Sequence, residues 1–361
     1  MRKILFVLPR LTSGGAERQA VTLATQFKRR NNEVSFLCYA EGAFFEEVLK
    51  KEGIPVYWRI SNNLRRIISV TSFIRRGRYD VVISFMPTPN FLNCFAAIFR
   101  KNWIVITSER SSLESDFTTF RGKVFGHLQK FSDTIVCNSD NARNMWLRYY
   151  PDYKDKLKTI YNAVDIPLIG SKNEIREAGR VRIIVAATIF DVKNPMGLLK
   201  ALLLMNQSER SKIKIDWYGH SEAVIGDHKE YDLVVKTIQN ESLSDIVTLH
   251  KPTMSIFERM QESDFVALFS QYEGLPNVIC EAMMLGKPII MSRCSDYNIL
   301  VEEGENGYLC DWDKPISIKE ALMKAVNTSN EKISLMGAAS LKKAKVLFSP
   351  QEVVSQWMSI L

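Results

Sequence analysis

Two carboxylates, Glu273 and Glu281, bracket the run Ser270-Gln271-Tyr272-Glu273-Gly274-Leu275-Pro276-Asn277-Val278-Ile279-Cys280-Glu281-Ala282. The apolar run Phe265–Phe269 ahead of it reads as a strand, which puts Glu273 in the following loop. A helix is expected to start near Pro276 and to stop at Gly286 and Pro288, with Glu281 on it. One turn would then offer a carboxylate, the backbone N–H groups of Gly274, Leu275 and Asn277 at the positive end of a helix (Pro276 has no N–H), and a second carboxylate. That set suits three parts of a sugar nucleotide: sugar hydroxyls, diphosphate and ribose hydroxyls. An arbitrary pair of acids at this spacing reads as a capped helix with incidental charge. Gly-Leu-Pro after the first Glu and Ala after the second favour the ligand-binding reading.

Two further segments suit phosphate chemistry. In Asp191-Val192-Lys193-Asn194-Pro195, a lysine stands between an expected strand end and a helix that Pro195 can begin. In Leu11-Thr12-Ser13-Gly14-Gly15-Ala16-Glu17-Arg18, paired glycines allow close backbone approach at a helix N-terminus. The latter is neither a Walker loop nor G-x-G-x-x-G, which disfavours a P-loop or NAD site. Asp311-Trp312-Asp313 spells D-x-D, but it follows Gly307–Cys310 outside the expected donor region and reads as a loop with two surface acids. The four histidines lack ligand spacing, so no metal is expected.

The elements that must position these residues alternate. Lys3–Leu8, Glu33–Tyr39, Val56–Trp58, Val81–Phe85, Ile104–Ser108 and Thr134–Asn138 read as strands, with helices at Gly14–Arg29 and Phe44–Glu52. After a polar stretch, strands at Val181–Ala187, Lys214–Tyr218, Val247–Leu249, Phe265–Phe269 and Pro288–Met291 alternate with helices at Pro195–Met205, Glu230–Asn240, Ser255–Glu262, Pro276–Leu285 and Ile316–Val326. The rhythm predicts α/β architecture with two doubly wound, Rossmann-like domains facing a cleft: residues 1–165, a linker over 166–180, and residues 181–348. The C-terminal helix, 349–361, can pack back on the first domain.

The length of 361 residues fits two domains, and 46% apolar with 24% charged residues is a globular composition. Six scattered cysteines without a C-x-x-C pair suggest a reducing compartment. The opening Met1-Arg2-Lys3 and apolar Ile4–Leu8 mimic a secretory signal, but Pro9-Arg10 ends the run at strand length. A cytoplasmic protein is expected, at most resting on the inner face of a membrane.

Residues 1–165 carry 26 Lys/Arg against 15 Asp/Glu, a balance of +11, and the remainder carries 22 against 25, a balance of −3. The positive excess thus belongs to the first half, where it marks either a solvated surface or an anionic partner. Segment 62–78 interleaves Arg65, Arg66, Arg75, Arg76 and Arg78 with Leu64, Ile67, Ile68, Val70, Phe73 and Ile74. It reads as a helix with an apolar face in the core, or as an amphipathic element on anionic lipid. Lys28-Arg29-Arg30 and Arg100-Lys101 could join that surface. Nucleic acid is not an expected partner.

Taken together, these motifs resemble glycosyltransferase family 4, retaining enzymes of the GT-B fold. The resemblance runs from the Gly-Gly turn through Tyr161-Asn162-Ala163-Val164-Asp165 to Asn306-Gly307-Tyr308-Leu309. It implies that Glu273 holds the donor sugar and Glu281 the ribose. Lys193 and the backbone of Gly274, Leu275, Pro276 and Asn277 would hold the diphosphate. Gly14 and Gly15 would lie near the diphosphate and the incoming acceptor, and Leu249-His250-Lys251-Pro252 would take the base-binding position. The family usually has Gly-Arg-Leu before the lysine; here Ala187-Thr188-Ile189 stands there, so Thr188 takes the place of a cation on the donor side. Arg110, in Ser108-Glu109-Arg110, takes the place of a histidine near the donor sugar. Glu273, Lys193 and Arg110 are thus the implied catalytic group.

The implied activity is metal-independent transfer, without cofactor, of a sugar from a nucleotide diphosphate-sugar, UDP favoured. The acceptor would be a glycan or a polyprenyl-diphosphate-linked glycan of cell-surface polysaccharide or glycoconjugate synthesis. In the family's usual account the leaving phosphate takes the acceptor proton. A catalytically decayed sugar-nucleotide or glycan-binding protein and a GT-B sugar-nucleotide epimerase are the alternatives.

Overall fold

The computed structural model describes the chain except for residues 13, 100, 111–113, 167–178 and 223–225 and the side chain of Asn63. Ser13, Arg100 and most of the expected linker therefore lie outside the described residues. The chain divides into two compact units, Met1–Ala163 with Pro350–Leu361, and Val164–Ser349.

The first unit holds a parallel sheet of β1 (Lys3–Leu8), β2 (Glu33–Cys38), β3 (Val56–Trp58), β4 (Val81–Phe85), β5 (Ile104–Glu109), β6 (Thr134–Cys137) and β7 (Leu157–Thr159). Its order is β3-β2-β1-β4-β5-β6-β7. Strand β1 is buried on both faces, which is why its sequence is an unbroken apolar run. Ile4, Phe6 and Leu8 pack with Phe36 and Phe85, whereas Leu5 and Val7 pack with Val70, Leu92 and Val105 on the other side. The C-terminal helix Pro350–Met358 closes the first of these layers: Trp357 is buried and stacks on Phe85, with ring centroids 6.2 Å apart.

The second unit repeats the plan with β8 (Val181–Ala186), β9 (Ile213–Tyr218), β10 (Val247–His250), β11 (Phe265–Leu268), β12 (Ile289–Ser292) and β13 (Gly307–Cys310). Here the order is β10-β9-β8-β11-β12-β13, with all pairs parallel. In each sheet the direction of winding reverses once, between β1 and β4 and between β8 and β11. Loops at the C-terminal ends of such strand pairs diverge and leave a crevice, the usual ligand position in doubly wound sheets.

The basic segment forms the helix Asn63–Arg76, capped by Asn62, which accepts from the Arg65 N–H. Its expected apolar face is divided. Val70 and Ile74 are buried with Tyr79 and Trp103, whereas Leu64 is 74% and Ile68 66% exposed. The second half of the helix and Ile67 meet the core, whereas Leu64 and Ile68 stay open beside Arg65. No described helix is long and apolar enough to cross a membrane.

Candidate active site

The candidate residues of the second unit sit at strand C-termini, at its winding reversal and, for His250, at the sheet edge. Thr188 and Lys193 follow β8, His250 ends β10, and Glu273 to Asn277 follow β11. After β8 the chain makes a short turn, Asp191–Lys193, and Asn194 then adopts a left-handed conformation at φ 57°. Asparagine tolerates this geometry, and its side chain caps the helix Pro195–Leu203 by accepting from the Gly197 N–H at 3.1 Å. The Asn194 amide also donates to the Trp312 carbonyl at 2.7 Å. The Asp311-Trp312-Asp313 loop therefore lies beside the Lys193 turn, closer to it than the sequence implied. Asp311 itself pairs with Lys314 at 3.0 Å and Arg293 at 2.8 Å, and these hydrogen bonds, Lys314's foremost, hold its carboxyl below the usual range.

The Lys193 turn and the Glu273 loop are tied together. The Gln271 N–H donates to the Val192 carbonyl at 2.9 Å. Lys193 Nζ then forms an ion pair with Glu273 Oε1, the same oxygen that accepts from Ser270 Oγ at 2.7 Å. Side-chain exposures of 27% for Lys193 and 15% for Glu273 leave this pair accessible but partly desolvated. The cation assigned to diphosphate and the carboxylate assigned to sugar hydroxyls are thus direct neighbours. An ammonium has three donors, so Lys193 can hold Glu273 and still face an anion.

Serines that the sequence reading passed over fix the loop. Ser292 Oγ donates to the Ser270 carbonyl at 2.5 Å, and Ser295 Oγ donates to the Gly274 carbonyl. Their signal was faint, because a small polar residue after a strand has many uses. The helix starts at Asn277 with Pro276 as its cap and runs to Met284. The first N–H groups of any α-helix lack intrahelical partners, so this end presents donors. Leu275 and Pro276 are themselves buried and anchor the turn. Glu281 is half-buried on the helix, about 6 Å along its axis from Asn277.

His250 Nε2 lies 2.8 Å from Asp216 Oδ1, and its ring stacks on Tyr218 with centroids 4.3 Å apart. A planar ring is thereby held at the end of β10. Gly219 follows β9 where a Cβ would lie 1.9 Å from the Ala187 carbonyl oxygen, so only glycine lets the two loops approach. Thr188 is half-buried in the adjoining loop.

In the first unit, Gly14 caps the helix Gly15–Arg29. A residue the sequence reading gave no role, Glu17, folds back onto this helix start. It is buried, its Oε1 accepts from Thr12 Oγ1 at 2.9 Å, and a Cβ on Gly14 would stand 2.4 Å from its Oε2. The glycine therefore makes room for a carboxylate that already offsets the helix dipole. Arg110 lies with its guanidinium 4.6 Å from the Phe85 ring centroid and donates to Asn162 Oδ1. Its Nε has no hydrogen-bond partner among the described residues. Burial pulls Arg110 down to about 9, partly offset by Glu109, so it remains protonated at neutral pH.

Comparison with known proteins gives concordant matches to both units. The family model described as Glycosyltransferase Family 4 matches residues 13–167, and that described as Glycosyl transferases group 1 matches residues 169–340. A Campylobacter jejuni relative is named GalNAc-alpha-(1->4)-GalNAc-alpha-(1->3)-diNAcBac-PP-undecaprenol alpha-1,4-N-acetyl-D-galactosaminyltransferase. It is 24% identical over 379 residues, covering 100% of this chain and 98% of its own. The amylovoran biosynthesis glycosyltransferase AmsD of Erwinia amylovora is 21% identical over 374 residues, covering 100% of both. Among solved structures, Anabaena HepE in complex with UDP and glucose superposes with a TM-score of 0.85 at 19% identity over 99% of each chain.

Proposed function

Since the chain belongs to the family 4 glycosyltransferases of the GT-B fold, we propose that it uses a UDP-sugar and transfers the sugar with retention. The acceptor in this reading is a glycan or a polyprenyl-diphosphate-linked glycan of cell-surface polysaccharide or glycoconjugate synthesis. The observation that carries it is the Lys193–Glu273 pair at the winding reversal of the second sheet, beside a helix N-terminus. The UDP bound in HepE and the undecaprenol-linked acceptor in the name of the Campylobacter relative lend it support.

In this account Glu273 accepts from donor-sugar hydroxyls, and Lys193 with the amides of Gly274, Leu275 and Asn277 faces the diphosphate. Glu281 accepts from the ribose, and His250 lies beside the base. Departure of the nucleoside diphosphate breaks the bond from the anomeric carbon to phosphate oxygen, and charge grows on the leaving oxygens. Fixed donors aimed there lower the barrier. The acceptor oxygen bonds to the anomeric carbon from the same face, and its proton passes to the leaving phosphate. Arg110, still charged at neutral pH, is the further cation that the family resemblance assigns to the reaction. Lys193, Arg110 and backbone amides carry the charge stabilisation, so the reaction is metal-independent.

The acceptor's lipid anchor would bring the protein to the cytoplasmic face of a membrane. The exposed Leu64 and Ile68 beside Arg65 offer apolar and cationic contact together. The test is a thermal-shift panel of nucleoside diphosphates and nucleotide sugars in EDTA, followed by a transfer assay with the stabilising donor. UDP and one UDP-sugar should raise the melting temperature without metal. Stabilisation by another nucleotide class, or by none, would overturn the donor assignment.

A further inference from the structure

A cavity of about 460 Å³ opens in the first unit at the end of β5. That size falls within the ~300–1,000 Å³ of small-molecule sites. Its floor carries Glu109, a carboxyl only 6% exposed. Asn90 Nδ2 donates to Glu109 Oε1 at 2.8 Å, and Gln129 Nε2 donates to the same oxygen at 2.7 Å. Gln129 is oriented in turn by Thr107 Oγ1, which donates to its Oε1 at 2.7 Å. Among the described residues no hydrogen bond reaches Glu109 Oε2, and the carboxyl has no contact ion pair. A buried network thus holds one oxygen and leaves the other toward the cavity. Burial, with Asp116 adding to it, pushes this carboxyl up to about 7, against the hydrogen bonds and Arg110.

The remaining walls narrow the choice of ligand. Phe117 and Trp146 are buried and meet edge to face at 5.1 Å, and Phe125 lies under the Arg121 guanidinium at 5.0 Å. Arg121 also donates to Thr88 Oγ1 at 2.9 Å. An anion would find one cation, Arg121, which already contacts Phe125 and Thr88, against two carboxyl groups, Glu109 and Asp116. A hydrocarbon chain would leave the buried Glu109 oxygen desolvated and without a partner. A neutral polyhydroxylated ring meets both demands, because its hydroxyls donate to a carboxylate while its C–H faces pack on aromatic rings.

We propose that this cavity is a saccharide site in which Glu109 Oε2 accepts from a sugar hydroxyl and Phe117, Phe125 and Trp146 form the apolar wall beside the sugar. Resting on the transferase reading above, its occupant is the terminal sugar of the acceptor. Glu109 is then a substrate-binding residue remote in sequence from the donor motif.

The test is saturation-transfer NMR of the full chain at pH 8 with glucose, galactose, N-acetylglucosamine and N-acetylgalactosamine, with a UDP thermal shift in parallel. At least one sugar should bind, and Glu109→Gln should weaken it at least tenfold. Phe125→Ala, a second variant that leaves the buried network intact, should weaken it as well. Binding that is equal in all three proteins, or no binding of any of the four sugars, overturns the proposal. Failure of the donor reading registers separately, as loss of the UDP shift in the wild-type protein while sugar binding persists.

Discussion

Glu109 makes a prediction that needs no substrate. Its carboxyl rises from 4.5 to about 7 on folding, first through burial and then through Asp116. Other groups within electrostatic reach are Arg110 and the thiols of Cys94 and Cys137, which burial keeps protonated. Between the two values the folded chain binds more protons than the unfolded one, so stability falls as pH rises through this window. The full penalty, a shift of about 2.5 pH units at 1.36 kcal/mol each, is roughly 3 kcal/mol and is reached near and above pH 7. Glu109→Gln keeps an acceptor for Asn90 and Gln129 and removes the titration. The variant should match the wild type near pH 4.5 and exceed it by about 3 kcal/mol at pH 8, roughly 6–12 °C in melting temperature. Calorimetric melts of both proteins from pH 4.5 to 8 read this directly. A difference that stays constant with pH, or a variant less stable at pH 8, would refute the reasoning.

Two other expectations rest on packing and surface. Trp357→Ala should cost about 3–5 kcal/mol, because the side chain fills the layer beside Phe85, and urea denaturation measures the loss. Leu64→Asp with Ile68→Asp should abolish binding to vesicles rich in anionic lipid, and wild-type binding should weaken as salt shortens the range of charge attraction. Co-sedimentation that is equal for both proteins, or indifferent to salt, would count against membrane docking.

Much of the architecture was legible, because parallel strands buried on both faces announce themselves as apolar runs such as Lys3–Leu8. The longest helix, Asn330–Phe348, escaped because it packs through small residues. A Cβ on Gly337 would stand 2.2 Å from the Gly286 carbonyl oxygen, and Ser340 is buried with its Oγ donating to the Asn306 carbonyl. Close backbone approach leaves little apolar periodicity to read. Strand β7, Leu157-Lys158-Thr159, has a single apolar residue, whereas the equally short edge strand β3 is Val56-Tyr57-Trp58 and shows itself. The Glu273 loop stood out through local spacing, whereas its partner Lys193 is 80 residues away and is brought beside it by the β8–β11 neighbourhood. Adjacent residues also parted company. Ser108-Glu109-Arg110 read as one motif, but Glu109, the last residue of β5, turns to Asn90 and Gln129, whereas Arg110, one residue past the strand, lies over Phe85.

The central claim is that the Lys193–Glu273 pair forms the donor end of a glycosyltransferase site. It is tested most directly by turnover of the UDP-sugar that stabilises the protein, compared between wild type and Glu273→Ala. The account predicts that wild type turns the donor over and that the variant loses at least 100-fold, about 2.7 kcal/mol of transition-state stabilisation, while its melting temperature holds within a few degrees. Unchanged turnover in a folded Glu273→Ala protein would contradict it.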